Sequence, residues 1–156
     1  MRVRLIAAGT RQPAWVREGY AEYAQRLGPE LRLELVEIPV TRRGAGGDVA
    51  RAVAEESRRM LAAIPAGDHV VALEVDGRSR TTAELARWLG QRLAAGRGVA
   101  LLIGGPDGLG PEVRARADER WSLSSLTLPH GLVRVVVAEG LYRAASLLRG
   151  HPYHRA

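Results

Sequence analysis

The sequence predicts an α/β fold built on a parallel sheet. Strand-like and helix-like segments alternate along the whole of the 156-residue chain. One of them, Val99-Ala-Leu-Leu102, is apolar at every position, which suits a strand covered on both faces. That run leads into Ile103-Gly104-Gly105-Pro106-Asp107-Gly108-Leu109, a turn that gives the backbone unusual freedom. In open parallel sheets, ligands sit beyond the carboxyl ends of such strands.

The elements follow in order. Arg2 to Ala8 reads as a strand closed by Gly9. Pro13 is placed to open a helix, with Val16, Tyr20, Tyr23, Ala24 and Leu27 on one face and Gly28-Pro29 as its stop. Leu31, Leu33 and Leu35 alternate with Arg32 and Glu34, a half-buried strand. Thr41 to Gly47 reads as a basic, glycine-rich loop. Asp48 caps a second helix whose buried side is Val49, Val53, Met60, Leu61 and Ile64. His69 to Val75 is a third strand, ending at Asp76-Gly77. Thr81 and Glu84 have the spacing of a capping box for a helix carrying Leu85, Trp88, Leu89 and Leu93. After the central strand, Pro111 opens a short arginine-rich helix through about Arg116. Trp121 to Leu128 is a strand or extended loop, and Leu132 to about Leu148 is the last helix. His151-Pro-Tyr-His-Arg-Ala156 forms a polar tail.

Composition narrows the function. The length fits a single domain, residues 1–156. No run reaches the roughly 18 apolar residues of a membrane span. The amino-terminal stretch lacks the layout of a signal peptide, so a cytoplasmic protein is expected. Cysteine is absent, which removes disulfides, thiolate nucleophiles and cysteine metal sites. The formal charge is +6, and all 23 basic residues are arginine, so no lysine serves as a phosphate ligand or Schiff base. The charge favours a polyanionic partner, nucleic acid first.

The common cofactor motifs are missing. The glycine turn does not have G-x-G-x-x-G spacing, and there is no Walker motif. Ser124 or Ser125 with His130 and Asp107 lacks the nucleophile elbow of a hydrolytic triad. His151 and His154 are separated by Pro152, which breaks helical ligand spacing, and no metal site is expected. His69 begins a strand and reads as structural, whereas His130 is placed to line a cleft. Asp107 reads as a local stabiliser of the glycine turn. The tail holds chemistry: Tyr153 can stack on a base, Arg155 can hold phosphate and His154 can move a proton.

Taken together, these pieces resemble one family. They are Ala8-Gly9-Thr10 and Pro13-Ala-Trp15, then Leu73, then Leu102-Ile-Gly-Gly-Pro-Asp-Gly-Leu109. Trp121-Ser-Leu-Ser-Ser-Leu-Thr-Leu-Pro-His130, Leu132-Val-Arg-Val135, Ala138-Glu139, Leu141-Tyr-Arg-Ala144 and His151-Pro-Tyr-His-Arg155 complete the set. It is similar to the ribosomal large subunit methyltransferase H family of the SPOUT class over essentially the whole chain.

The resemblance implies an α/β knot, a parallel sheet flanked by helices with a deep trefoil knot in the C-terminal third. It implies a homodimer that uses S-adenosyl-L-methionine to methylate N3 of pseudouridine 1915 in bacterial 23S rRNA, on assembled ribosomes. By position, Leu73, Gly104, Leu123, Ser124, Ser125, Leu126, Thr127 and Leu128 are the expected cofactor residues. The leucines suit an apolar slot for adenine, and the glycine leaves room for ribose and methionine. In the tail, His154 is the expected proton acceptor, Tyr153 positions the nucleobase, and Arg155 holds phosphate or stabilises developing charge. Arg134, Arg143 and the Arg42-Arg43 loop are weaker candidates for RNA contact. Arginines stand where the family pattern leads one to expect lysines in that loop, and Ala156 stands where it leads one to expect an acidic residue. The competing readings are a noncatalytic ribosome-binding factor on the same scaffold, or a related enzyme acting on tRNA.

Overall fold

The computed structural model describes residues 1–41 and 47–154, the last by its backbone alone. Five parallel strands form one sheet: β1 (Arg2–Ala8), β2 (Arg32–Ile38), β3 (His69–Ser79), β4 (Val99–Ile103) and β5 (Glu119–Ser122), in the order β2-β1-β4-β3-β5. The helices are α1 (Ala14–Ala24), α2 (Val49–Ala63), α3 (Thr82–Ala95), α4 (Pro111–Arg116) and α5 (His130–Leu148). A short 3-10 turn covers Pro152–His154.

The period of two along each strand divides the core between the two faces. Val3, Leu5 and Ala7 join Val71, Leu101, Trp88, Leu89 and Leu141 on one side, packed under α1, α3 and α5. Ile6 and Ala8 join Val70, Ala72, Leu102, Met60 and Val113 on the other, under α2 and α4. All five residues of β4 are buried, as its uninterrupted apolar run requires.

Helix ends follow local chemistry. Asp48 accepts from the Arg51 amide at 3.1 Å. At α3 the capping box is complete: Glu84 N donates to Thr81 Oγ1 at 3.2 Å, and Thr81 N donates to Glu84 Oε2 at 2.7 Å.

Four expectations are corrected. α1 ends at Ala24, ahead of Gly28-Pro29, because tight turns through Arg26 and Leu27 carry Leu27 onto the core. β2 runs on to Ile38, because it pairs residue by residue with β1 to Ala8. The fully buried face of α2 is Ala52, Glu56, Ser57 and, as expected, Met60; Leu61 and Ile64 pack partly buried against the same core as expected, while Val49, in the first turn, is 46% exposed. Glu56 and Ser57 are buried with partners: Glu56 Oε2 accepts from the Thr41 amide at 3.2 Å, and Ser57 Oγ donates to the Val53 carbonyl at 2.7 Å.

The fourth correction shapes the site. β3 does not stop at Asp76-Gly77 but runs to Ser79. Leu73 and Arg78 both pair with Trp121 of β5, so residues 74–77 bulge outward between them. Gly77 crosses against the Trp121 backbone so closely that a side chain there has no room. Among the described residues, no helix is long and apolar enough to cross a membrane. The basic-loop residues Arg42 and Arg43 lie outside the described residues.

Candidate functional site

A cavity of about 530 Å³ opens at the carboxyl ends of β3, β4 and β5. Three segments wall it: Leu73 to Asp76 from the bulge, Ile103 to Leu109 from the glycine turn, and Ser122 to His130 from the chain after β5. Val133 of α5 and Arg114 of α4 complete the lining.

The glycine turn is tight. The Gly108 amide donates to the Gly105 carbonyl at 3.0 Å, and Gly108 takes φ +77°. A Cβ on Gly104 would fall 2.5 Å from the Gly108 carbonyl carbon and 2.8 Å from the Leu109 nitrogen. Only glycine fits there, and its bare backbone forms the floor of the cavity.

The bulge is held by charge. The Glu74 side chain, 6% exposed, pairs with Arg114 and, at 3.4 Å, with Arg120. This fixes Val75 and Asp76 at the cavity rim. Opposite them, the chain after β5 is held by its own serines. Ser122 Oγ donates to the Ser124 carbonyl at 2.9 Å, and Ser124 Oγ accepts from the Leu126 amide at 2.9 Å. Val75 and Leu126 are left 59% and 72% exposed, an apolar mouth without a covering group among the described residues.

Most of the sequence-derived cofactor residues therefore converge. Leu73, Gly104, Leu123, Ser124, Leu126, Thr127 and Leu128 all line this cavity, and Ser125 does not. His130 lines it too, at the start of α5. Glu74, Val75, Asp76 and Arg114 were not legible as lining residues, since Asp76-Gly77 reads as an ordinary strand end. His69 is structural: its ring packs on Trp88, with Nε2 3.4 Å from Glu119 Oε2.

Tyr153 lies elsewhere in the chain. The Tyr153 ring packs on Tyr142 with centroids 4.5 Å apart, and its hydroxyl donates to Glu139 Oε1 at 3.2 Å. Partial burial, with Glu139 alongside, pushes its phenol up to about 12. Glu139 is nine residues along α5 from His130, roughly 13 Å at the rise of a helix. Tyr153 is not part of the cavity wall. The His154 side chain and Arg155 lie outside the described residues.

Arg134 is a correction. It is 1% exposed, donating from Nη1 to Glu37 Oε2 at 2.7 Å and from Nη2 to the Gly9 carbonyl at 2.7 Å. A side chain so enclosed does not reach an RNA; it ties α5 to the loop after β1. Arg143 is paired with Glu139 at 2.7 Å and stacks over Tyr153.

Comparison with known proteins places the chain in a family. A family model described as "Predicted SPOUT methyltransferase" matches residues 1–154. A protein of Alkalilimnicola ehrlichii named Ribosomal RNA large subunit methyltransferase H is 62% identical over 156 residues, covering 100% of both chains. Proteins of the same name from Thioalkalivibrio sulfidiphilus and Pseudomonas paraeruginosa are 59% and 56% identical over 155 residues, covering 99% of this chain and 99% and 100% of theirs. A crystal structure of a candidate methylase family protein from Neisseria gonorrhoeae superposes with a TM-score of 0.52 at 16% identity. It covers 90% of this chain and 81% of its own, a likeness of fold.

Proposed function

This chain belongs to the SPOUT methyltransferase family, and we propose that it transfers a methyl group from S-adenosylmethionine to N3 of pseudouridine 1915 in bacterial 23S rRNA, on assembled ribosomes. That it is an rRNA methyltransferase follows from full-length identity to the methyltransferase H proteins. The observation that carries the cofactor assignment is the cavity at the ends of β3, β4 and β5. Its volume, near 530 Å³, falls in the range of small-molecule sites. Its walls suit the parts of the donor.

Leu73, Leu123, Leu126 and Leu128 would form the slot for adenine. Gly104 leaves backbone within reach of ribose and methionine. S-adenosylmethionine, when bound, supplies an electrophilic methyl group. The residues' task is to hold the acceptor nitrogen in line with it and to remove the N3 proton. We assign proton removal to His154, placement of the nucleobase to Tyr153, and phosphate or developing charge to Arg155.

Tyr153 stands against Glu139 and Tyr142, away from the cavity of its own chain. This supports a homodimer in which one copy's tail completes the other's cavity. The same reading carries a single domain whose C-terminal third threads a deep trefoil knot, a cytoplasmic location, and no metal in the reaction.

The test is transfer of labelled methyl from S-adenosylmethionine to purified ribosomes lacking this modification, with free 23S rRNA and tRNA alongside. Label on ribosomes, mapped to the pseudouridine, is expected. Label on tRNA alone would overturn the substrate, and failure to bind the cofactor would leave a noncatalytic ribosome-binding factor.

A further inference from the structure

We propose that Arg11 positions the substrate by holding an RNA backbone phosphate beside the cavity mouth, an assignment that rests on the reading of the chain as a methyltransferase of ribosomal RNA. Among the described residues, Arg11 is the one non-glycine residue with positive φ, at +57°. Side chains rarely adopt that conformation, and it persists where the surroundings enforce it.

The surroundings of Arg11 do so from both sides. The Gly9 amide donates to the Ile38 carbonyl at 2.7 Å, and the Gly9 carbonyl accepts from Arg134 at 2.7 Å. Arg17 Nη1 donates to the Gln12 carbonyl at 2.9 Å. The Gln12 side chain lies over Gly131, where a Cβ would sit 2.8 Å from its Oε1. All this fixes a residue whose own side chain is exposed and, among the described residues, has no hydrogen bond or ion pair. Arg51 and Arg58 are also exposed, but they ride on α2 in ordinary helical backbone.

Location gives this exposed guanidinium its use. β1 pairs with β4 through Ala7 and Ile103. The Ala8 methyl lies 3.5 Å from where Gly105 would carry a Cβ. Arg11 thus stands at the carboxyl end of β1, across the glycine turn from Leu73. A planar fork carried there on a constrained backbone, and not engaged by any carboxylate among the described residues, matches a phosphate.

The experiment compares the unaltered protein with Arg11→Gly and Arg11→Lys, using ribosomes lacking the modification and labelled S-adenosylmethionine. Glycine accepts the +57° backbone more readily than arginine, so R11G keeps the fold and removes only the guanidinium. R11G is expected to raise KM for ribosomes roughly tenfold, the scale of one charge-assisted contact, with kcat and cofactor affinity unchanged. The salt dependence of RNA binding should weaken by about one unit of log–log slope. R11K, which keeps the charge and loses the fork, should regain part of the loss. An R11G protein with unaltered KM and salt slope would overturn the assignment while leaving the methyltransferase reading intact. Absence of transfer to any rRNA by the unaltered protein would overturn that reading, and the assignment with it.

Discussion

Arg134 donates from Nη2 to the carbonyl of Gly9 at 2.7 Å, joining residues 125 positions apart, while its Nη1 is paired with Glu37. The guanidinium is buried, so its partners set its contribution. Arg134→Met keeps the stem but leaves a buried carbonyl without a donor and Glu37 without a cation. It should cost about 3 kcal/mol of stability, read by urea denaturation. Glu37→Gln keeps an acceptor for Nη1 but leaves the buried guanidinium without its carboxylate, and should also cost about 3 kcal/mol.

Tyr20 presents the opposite case, a buried hydroxyl without a hydrogen-bond partner among the described residues. Burial pushes its phenol up to about 12. A value raised above the unfolded one of 10 means that the neutral form favours the fold. The contribution is complete below pH 10 and is lost as pH rises toward 12. Tyr20→Phe should therefore leave stability unchanged or raise it by up to about 1 kcal/mol at neutral pH. It should also lose less stability than the unaltered protein in that alkaline window, followed by thermal denaturation across the pH series.

Gly104→Ala tests the cavity floor. The added methyl would press on the Gly108 and Leu109 backbone, which cannot swing aside as a side chain end can. Isothermal calorimetry should show S-adenosylmethionine affinity reduced about tenfold or more, since overpacking of this kind typically costs 1–3 kcal/mol. Far-ultraviolet dichroism should be unchanged.

For proton removal, His154→Ala should lower kcat on ribosomes by about 100-fold, the lower end of general-base contributions. Its cofactor affinity, measured by calorimetry, should match that of the unaltered protein. Full turnover in this variant would leave the N3 proton to water.

The sequence is most informative where structure depends on near neighbours. The Thr81–Glu84 box, the Asp48 cap and the apolar β4 run were all legible, because each is decided within a few residues. The bulge at residues 74–77 was not. It depends on Trp121, paired with both Leu73 and Arg78, and on Glu74 finding Arg114 and Arg120. Nothing local distinguishes such a glycine from a strand terminator. Arg134 was misread for a similar reason, since an arginine on a helix face is ordinarily solvated and only Gly9 and Glu37 explain its burial. The convergence of Leu73, Gly104 and the Leu123 to Leu128 segment was expected from family likeness, and the strand order brings most of that set together.

The position of β4 between β1 and β3 has a consequence for the chain during its synthesis. β1 and β3 are both made before Val99 to Ile103 emerges, and neither pairs directly with the other. At about 5–20 residues per second, β1 waits roughly 5 to 18 s with one hydrogen-bonding edge open. A polypeptide cut short before Val99 would carry β1 with one of its paired edges open and β3 with both, since β5 is missing as well, a template for self-association. The five residues of β4 thus act as a keystone, and the nascent chain is most vulnerable until they arrive.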